Sequence, residues 1–293
     1  MRLELRDLEL MVSLSRHKNF SLAASDCNIS QPAFSTRIRK FEERLKLPLV
    51  RRGNSFGGFT PEGEVVLKWA RKLLADAESL RQEVHSLKEN LDGTLALGVI
   101  PTAMPFAARV SSKLRDKHPN LSIEIHSLST RQIALRLNDF SLDAGIIYHD
   151  DVENEATEIL YQERYVLIVP RSLSVRQGGS LTWSEATQFP LCLLTPDMRN
   201  RQLIDAVFSQ VSVVPTVVME ASGFTAVLAQ VVGGNAATIA PVSLAETFFA
   251  LNSTIQFELV EPIMTQTIGL SIKAQSPQPP IVQALRKAVE DSL

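Results

Sequence analysis

Two short helical patterns near the N-terminus, joined by a break of about three residues, constrain the fold more than any other feature. The first begins at Ser21, whose hydroxyl is placed to cap a helix, and it stops at Asn28. The second begins at Ser30, which is again a capping residue. Pro32 follows in the first turn, where its missing N–H costs no hydrogen bond. Two helices with so tight a connection predict a helix-turn-helix.

The second of these helices has one apolar and one polar face. Phe34, Ile38, Phe41 and Leu45 recur at intervals of 4, 3 and 4 and predict a buried stripe. The polar face is free to read base edges and to contact phosphates, although a three-helix bundle with an idle polar face fits the same pattern. The DNA contacts expected on this helix are Ser30, Gln31, Pro32, Ala33, Ser35, Thr36, Arg37 and Arg39.

A basic pair and a glycine-rich stretch come next. Arg51 and Arg52 precede glycines flanked by Phe56 and Phe59, which is a pattern typical of a short β-wing. A wing can contact the DNA backbone or the minor groove. Arg51 and Arg52 therefore join the predicted DNA contacts.

Charge is distributed unevenly along the chain, although the formal total is only −2. Residues 1–60 hold 11 Lys and Arg against 6 Asp and Glu, whereas residues 93–293 hold 14 against 19. A basic head on an acidic body suits nucleic-acid binding, because phosphate contacts supply the sequence-independent part of affinity. A solvated charged surface would give the same counts.

The N-terminal sequence resembles that of LysR-type transcriptional regulators. The resemblance rests on a "SQPA-S--IR--E" core, an "F--AA" lead-in and an "LT-EG"-like close. In this chain the matching residues are Phe20, Ala23, Ala24, Ser30, Gln31, Pro32, Ala33, Ser35, Ile38, Arg39, Glu42, Phe59, Thr60, Pro61, Glu62 and Gly63. Thr36 and Arg37 replace the pair often filled by Arg and Gln, and the wing is poor in basic residues between Arg52 and Lys68. Base preference and wing contacts therefore do not transfer.

A long helical pattern follows the wing, starting at Thr60 and Pro61 and ending at Gly93 as a C′ residue. Its apolar residues are spaced alternately by 4 and 3, which is the period of a coiled-coil seam and predicts dimerisation. The alternative is a long helix packed on its own chain. The predicted seam consists of Val66, Ala70, Leu73, Ala77, Leu80, Val84, Leu87 and Leu91.

From Thr94 onward, short apolar strands alternate with helices, which predicts a parallel sheet with helices on its faces. Ligands bind such folds at the carboxyl ends of strands, beside helix N-termini, although a Ser or Thr there is often only an N-cap. The candidate effector contacts are Pro101, Thr102, Ser129, Thr130, Tyr148, Thr195 and Arg199.

The resemblance implies an α/β multidomain protein. Its C-terminal domain resembles a type II periplasmic binding protein, with two lobes joined by crossing strands near Glu163 and Gln266. The implied parts are a winged helix-turn-helix at 1–60, a linker and dimerisation helix at 61–92, and an effector-binding domain at 93–293, with lobe I at 93–162 and 267–293 and lobe II at 163–266.

No enzyme motif is apparent, since G-x-S-x-G, Walker A, H-E-x-x-H and G-x-G-x-x-G patterns are all missing. We expect no catalysis, no cofactor and no metal. Cys27 and Cys192 are expected to be buried, and a redox role for Cys192 would need a resolving partner. The N-terminus lacks the apolar region of a signal peptide, and Gly and Pro residues break the uncharged run at 221–245, so we expect a cytoplasmic protein without a membrane span.

The sequence thus predicts a DNA-binding transcriptional regulator whose activity is modulated by a small, anionic effector held between two lobes. The expected partners are double-stranded DNA with a dyad-symmetric operator, the effector, a second copy of the chain in a dimer or tetramer, and RNA polymerase. The alternative function is a small-molecule-binding or enzymatic α/β protein whose N-terminal helices only mediate dimerisation.

Overall fold

The structure is a computed structural model that describes residues 3–53, 56–86, 91–151, 157–174, 176–249, 253–273 and 275–293. The chain divides into two compact units. The N-terminal unit runs to Asp92 and includes the short segments Arg136–Ser141 and Pro279–Ile281. The rest of the chain forms the C-terminal unit.

The N-terminal unit consists of four helices and a two-stranded wing. These elements are α1 (Leu5–His17), α2 (Phe20–Asp26), α3 (Gln31–Leu45), β1 (Val50–Arg52), β2 (Phe56–Phe59) and α4 (Pro61–Ser86). The Ser30 hydroxyl caps α3 by accepting the Ala33 N–H at 3.4 Å, which confirms the predicted cap. The predicted cap at Ser21 is wrong, because the Asn19 side chain accepts the Ser21 and Leu22 N–H groups and α2 begins one residue earlier.

The predicted apolar face of α3 is buried in the core of this unit. Phe34, Ile38 and Phe41 are no more than 1% exposed, and they pack with α1, α2 and the wing. Phe20 contacts both Phe34 and Phe56 edge-to-face at 6.1 Å. This packing fixes which face of α3 is turned outward.

A buried acidic residue ties α1 to α3. Asp7 is fully buried, and its carboxylate accepts hydrogen bonds from the Arg37 Nε at 2.9 Å and from Arg44. Arg37 also donates to Glu4 at 2.7 Å. Because a buried carboxylate is stable only when paired, α3 is locked onto α1 in one orientation.

The junction between the wing and α4 requires a glycine. Thr60 caps α4 by accepting the Gly63 N–H at 2.9 Å, and its own hydroxyl donates to the Pro48 carbonyl at 2.6 Å. A Cβ at Gly63 would lie 2.1 Å from the Leu49 carbonyl oxygen, a contact that backbone atoms cannot relieve. The predicted start of α4 at Thr60 and Pro61 is thereby confirmed.

The C-terminal end of α4 differs from the prediction. The described helix ends at Ser86, and residues 87–90 lie outside the described part of the chain. Leu91 is buried and not helical, and Gly93, expected to end the helix, is instead the first residue of a strand with φ of 111°. A left-handed backbone suits glycine equally at either position, so the residue alone did not distinguish them.

The C-terminal unit alternates strands and helices. Its elements are β3 (Gly93–Val99), α5 (Met104–Lys117), β4 (Leu121–Ser127), α6 (Thr130–Asn138), β5 (Ala144–Tyr148), β6 (Thr157–Pro170), β7 (Gly179–Thr182), α7 (Trp183–Ala186), β8 (Leu191–Leu194), α8 (Arg199–Gln210), β9 (Val217–Ala221), α9 (Phe224–Val232), β10 (Thr238–Pro241), α10 (Val242–Phe249), β11 (Thr254–Val260), β12 (Thr265–Ile272) and α11 (Pro280–Glu290). A short 3₁₀ turn, Pro101–Ala103, follows β3.

The strands form a mixed sheet, whereas the sequence predicted a parallel one. Strand order is β4-β3-β5-β12-β6-β11-β7, with β10 also paired to β6. β3 is parallel to β4 and β5, but β12 is antiparallel to β5 and β6, and β10 and β11 are antiparallel to β6. Strand direction depends on pairing between distant segments, which an apolar run does not encode.

β6 is the strand that joins the two halves of this sheet. Over Thr157–Arg164 it pairs with β12, and over Tyr165–Pro170 it pairs with β10 and β11. Glu163 lies opposite Gln266 in this register, close to where the partner changes. The change of partner therefore falls where the sequence resemblance implied a crossing.

The uncharged run at 221–245 does not form one long helix. α9 ends at Val232, and the chain turns through Gly233 and Gly234 into β10, as the glycines predicted. Within the described residues, no helix combines the length and apolar character needed to cross a membrane.

We predict that Asp7→Asn lowers the free energy of unfolding of the N-terminal unit by about 2 kcal/mol, because it leaves Arg37 and Arg44 without their shared carboxylate. The effect is smaller than for a fully buried pair, because both arginines are about one-third exposed and solvent screens them. Calorimetric unfolding of the full chain measures the effect.

Glu43→Gln is the matched control. It removes the exposed pair between Arg39 and Glu43, whose atoms are 3.7 Å apart, and should change stability by less than about 0.5 kcal/mol. Equal losses in the two variants would contradict a special role for Asp7.

Candidate nucleic-acid interface and ligand cluster

The outward face of α3 carries most of the predicted DNA contacts. Its exposed residues are Ser30, Gln31, Pro32, Ala33, Thr36 and Arg39, with Ser35 half-buried beside them. The Gln31 Nε2 donates to the Ser35 hydroxyl at 3.0 Å, which confirms that these positions share a face one helical turn apart. Lys40 is exposed on the same side and was not predicted. The face thus offers amide, hydroxyl and cationic groups to one surface.

Arg37 is the exception among the predicted contacts. Its Nε and Nη2 groups are bound to Asp7 and Glu4, so the guanidinium holds α3 in place. Arg39, in contrast, pairs among the described residues only with Glu43, at 3.7 Å in an exposed position where solvent screens the interaction. Of these two arginines, Arg39 is the one available to phosphate.

The wing is a two-stranded antiparallel sheet, as the sequence predicted. Val50 pairs with Phe59 and Arg52 with Phe56, and Phe56 and Phe59 contact each other at 5.2 Å. Arg51 is exposed, whereas the side chain of Arg52 lies outside the described residues. Glu42 anchors the wing by accepting the Leu49 and Val50 N–H groups at 2.9 and 3.1 Å.

An apolar stripe runs along the outside of α4. It consists of large side chains that are 37–64% exposed, namely Val65, Trp69, Leu73, Leu80 and Val84. These residues recur at intervals of 4, 4, 7 and 4, so they share a helix face. A continuous exposed stripe of this kind is typical of a helix that packs against a partner.

The stripe overlaps the predicted seam only in part. Leu73, Leu80 and Val84 are exposed, while Val66 and Ala77 are half-buried. Ala70 is fully buried in the N-terminal core, so it packs within its own chain. Leu91 is buried outside the helix, and Leu87 lies outside the described residues. Val65 and Trp69 were missed because α4 turns a different face toward its own core than the 3.5-residue period suggested.

The predicted effector residues near β3 and β5 come together. Thr102, in the 3₁₀ turn after Pro101, is fully buried, and its hydroxyl is 3.1 Å from the Tyr148 hydroxyl at the end of β5. Ser129 serves as the N-cap of α6, since its hydroxyl accepts the Gln132 N–H at 3.3 Å. The neighbouring Thr130 is buried, and its hydroxyl has no partner among the described residues.

The remaining predicted effector residues, Thr195 and Arg199, show no hydrogen bond to Thr102 or Tyr148 among the described contacts. Thr195 is half-buried after β8, where its N–H donates to the Ala221 carbonyl at 3.0 Å. Arg199 is exposed at the first position of α8. Arg201, two residues on, is the buried arginine of this helix, but Asp205, Glu220 and the Leu194 carbonyl engage it within 2.9 Å. It therefore holds α8 to the β8–β9 pair.

Four further polar residues surround Thr102 and Tyr148 where β6 changes partner. We call this group the crossing cluster: Thr102, Tyr148, Tyr161, Glu163, Tyr165 and Asn200. Tyr161, Glu163 and Tyr165 alternate along β6 and therefore share one face of the strand. The Asn200 Nδ2, at the start of α8, donates to the Tyr165 hydroxyl at 3.3 Å. The cluster thus includes residues from both halves of the sheet.

The sequence contained a signal for this cluster that went unused. Within the stretch "LYQERYVLIV", the polar and aromatic residues Tyr161, Glu163 and Tyr165 recur at every second position. Glu163 was used only to place the crossing between the two lobes, and was not predicted as a site residue.

Glu163 is the unusual member of the crossing cluster. It is 3% exposed, and neither carboxyl oxygen has a hydrogen-bond partner among the described residues. Burial raises the pKa of Glu163 to about 8, with the Thr102 hydroxyl partly offsetting the rise. Burial and the nearby Glu163 charge also raise the pKa of Tyr148 and of Tyr161.

The two cysteines are buried, as expected. Cys192 lies in the apolar core around β8, and burial raises the pKa of its thiol, which disfavours a reactive thiolate. No group of His, Cys, Asp or Glu suited to a metal ion occurs in the described ranges.

The chain is similar to known proteins along both of its parts. Residues 5–64 match the family described as "Bacterial regulatory helix-turn-helix protein, lysR family", and residues 88–293 match the "LysR substrate binding domain". A probable RuBisCO transcriptional regulator of Trieres chinensis is 26% identical over 269 residues, covering 88% of this chain and 87% of the relative. The DNA-binding transcriptional dual regulator OxyR of Escherichia coli (strain K12) is 32% identical over 146 residues, covering 50% of this chain and 48% of the relative.

Solved structures of similar fold span the whole chain. Full-length OxyR from Pseudomonas aeruginosa aligns with a TM-score of 0.75 and 23% identity, covering 99% of this chain and 95% of that one. CbnR in complex with its target DNA aligns with a TM-score of 0.71 and 20% identity, covering 99% and 100%. At these identities the likeness establishes the fold, while the two family matches cover most of the sequence. The chain therefore belongs to the LysR family of transcriptional regulators.

Proposed function

We propose that this DNA-binding transcriptional regulator reads duplex DNA through the outward face of α3, dimerises through the α4 stripe and responds to a small molecule at the crossing cluster. In this proposal residues 1–60 bind DNA, residues 61–92 dimerise, and residues 93–293 bind the effector. Lobe I comprises 93–162 and 267–293, and lobe II comprises 163–266. Because its target is the chromosome, it acts in the bacterial cytoplasm.

The observation that carries the proposal is that the polar residues of α3 fall into two groups. One group binds α1, and the other faces outward. Asp7 fixes the helix from behind through Arg37, so Gln31, Ser35 and Arg39 remain on the outer face. Glutamine can bond an adenine edge with two hydrogen bonds, and arginine can bond guanine or phosphate. A helix held rigidly from behind positions such side chains with little loss of entropy on binding.

Dimerisation follows from the α4 stripe. Five large apolar side chains on one helix face are exposed in the single chain, and a second copy of the same helix would cover them by two-fold symmetry. A two-fold dimer presents two copies of α3. We therefore expect the operator to contain two dyad-related half-sites.

The effector proposal rests on the crossing cluster, whose residues come from β5, β6, the 3₁₀ turn and α8. A ligand that binds there contacts both halves of the sheet and can favour one arrangement of the lobes over another. Such a ligand changes regulation only by as much as it prefers one arrangement. Some relatives are named hydrogen peroxide-inducible genes activators, but the buried thiols of Cys27 and Cys192 give no support for peroxide sensing here.

We predict that Gln31→Ala relaxes base preference by about 1–3 kcal/mol at one position of each half-site, since it removes a base contact. Arg51→Ala should instead weaken binding to operator and random duplexes by the same factor, because a phosphate contact carries no sequence information. Binding of the full-length protein to both duplexes, at fixed salt, measures both effects.

Lys287→Ala is the control for the loss of one positive charge. It removes an exposed lysine from α11, and we expect unchanged binding to both duplexes. Wild-type discrimination in Gln31→Ala would show that α3 is not the reading helix.

We predict that the double variant Leu80→Asp and Val84→Asp converts the dimer to a monomer, because two carboxylates would lie in an apolar contact. Both side chains are more than 50% exposed, so the fold of the single chain should persist. Sedimentation equilibrium measures the mass.

Val214→Asp serves as the matched control, since Val214 is 90% exposed and belongs to the segment between α8 and β9 rather than to α4. Its mass should equal that of the wild type. A dimeric double variant would locate the dimer contact elsewhere.

A further inference from the structure

A buried acid without a partner stands at the centre of the crossing cluster. Glu163 is 3% exposed, and neither carboxyl oxygen is in hydrogen-bond geometry with another described residue. The Thr102 hydroxyl is the one side chain near enough, among the described residues, to favour the ionised form of Glu163. A buried carboxylate is strongly destabilising unless a cation or several donors compensate it. The other buried acid described above, Asp7, has two arginines for this purpose.

Protonation alone does not satisfy this residue. A neutral carboxyl carries an O–H donor in addition to its acceptors, and neither carboxyl oxygen has a described residue in hydrogen-bond geometry. In either ionisation state the described residues leave at least one buried polar atom of Glu163 unpaired. Native structures rarely leave such groups unpaired, and a functional site that receives another molecule is one of the recognised reasons.

The neighbours of Glu163 are acceptor-rich and aromatic. Tyr161 has a buried hydroxyl with no partner among the described residues, and its ring lies 5.0 Å from that of Phe106. The Tyr148 hydroxyl is engaged by Thr102. Tyrosine oxygens accept hydrogen bonds and tyrosine faces attract cations.

The charges that face the carboxyl do not neutralise it. Burial raises the pKa values of Tyr148 on β5 and of Tyr161 and Tyr165 on β6, so all three are neutral phenols that bring no positive charge to Glu163. The positive charge of Arg109 on α5 lowers the pKa of Tyr161. The pKa of Glu163 is raised by burial and lowered by Thr102. A negatively charged ligand group would find no opposite charge at Glu163.

We propose that the crossing cluster binds a ligand carrying a protonated amine, whose N–H groups donate to Glu163 and to the free Tyr161 hydroxyl. The inference rests on the proposed function, in which this cluster is the effector site, and it defines the chemistry of the effector. It also reverses the anionic effector expected from the sequence. That expectation relied on helix N-termini, whereas the buried charge at the cluster is a carboxylate.

The amine and the carboxyl must both be ionised to pair, which gives the site a pH signature. Since the pKa of Glu163 is about 8 without ligand, its proton must leave before the ammonium binds. Affinity for an amine should therefore rise about tenfold per pH unit from pH 6 toward 8 and then level off.

The test compares three probes of equal length, n-butylammonium, 1-butanol and butanoate, on the full-length protein by ligand-observed NMR. We expect n-butylammonium to bind at least about tenfold more tightly than the other two, as charge-assisted hydrogen bonds exceed neutral ones. Glu163→Gln keeps the shape of the side chain and should remove both this preference and its pH dependence. Tyr161→Phe, which removes only a hydroxyl, should weaken n-butylammonium several-fold.

Glu258→Gln is the matched control, since it removes an exposed acid from β11, and it should bind n-butylammonium as the wild type does. Equal binding of the three probes, absence of n-butylammonium binding at millimolar concentration, or full retention of its preference in Glu163→Gln would overturn the proposal. Preferred binding of butanoate that is weakened by Thr102→Val would leave the effector site in place and refute only its charge. DNA recognition is tested separately through Gln31 and Arg51.

Discussion

The hydrogen-bond ladder of β6 is the constraint on which the C-terminal unit depends. One strand pairs with β12 along its first half and with β10 and β11 along its second, so the two halves of the sheet share a continuous backbone. A displacement of one half relative to the other must be absorbed close to Arg164 and Tyr165, where the partners change. Polar side chains at this point are therefore well placed to sense which arrangement is present.

The N-terminal unit also contains a buried carboxyl group, but this one is paired. Asp7 is buried, and its carboxylate accepts hydrogen bonds from Arg37 and Arg44. These bonds hold α3 against α1. Glu163 is also buried, and no described residue pairs with its carboxyl oxygens. The contrast separates a carboxylate that holds a recognition helix in place from one that is available to a ligand. Under the proposed function, the first carboxylate supports DNA reading and the second pairs with the ligand.

The parts of the fold that depend on local chemistry were predictable from the sequence. Ser30 caps α3 and Thr60 caps α4 through contacts within three residues, and the apolar stripe of Phe34, Ile38 and Phe41 is set by helical period. Where two capping residues were close, as with Asn19 and Ser21, the sequence did not decide between them. Helix existence was thus easier to predict than the position of its first residue.

Features that depend on distant partners were not predictable. The antiparallel pairing of β12 and β6 and the burial of Ala70 in the N-terminal core both arise from contacts between remote segments. Arg37 was expected to contact DNA because it lies in the recognition helix, but an acid 30 residues earlier engages it. Of the candidate effector residues, Thr102 and Tyr148 do meet, while Ser129 is occupied as a helix cap.

The central claim is that no described residue compensates the Glu163 carboxyl where β6 changes partner. The most direct measurement of it is a ¹³C NMR titration of the full-length protein labelled at its glutamate carboxyls. The account predicts one resonance, absent from Glu163→Gln, that titrates near pH 8 without ligand and moves toward the ordinary range when n-butylammonium is added. Titration of that resonance together with exposed glutamates, near pH 4 to 5, would contradict the account.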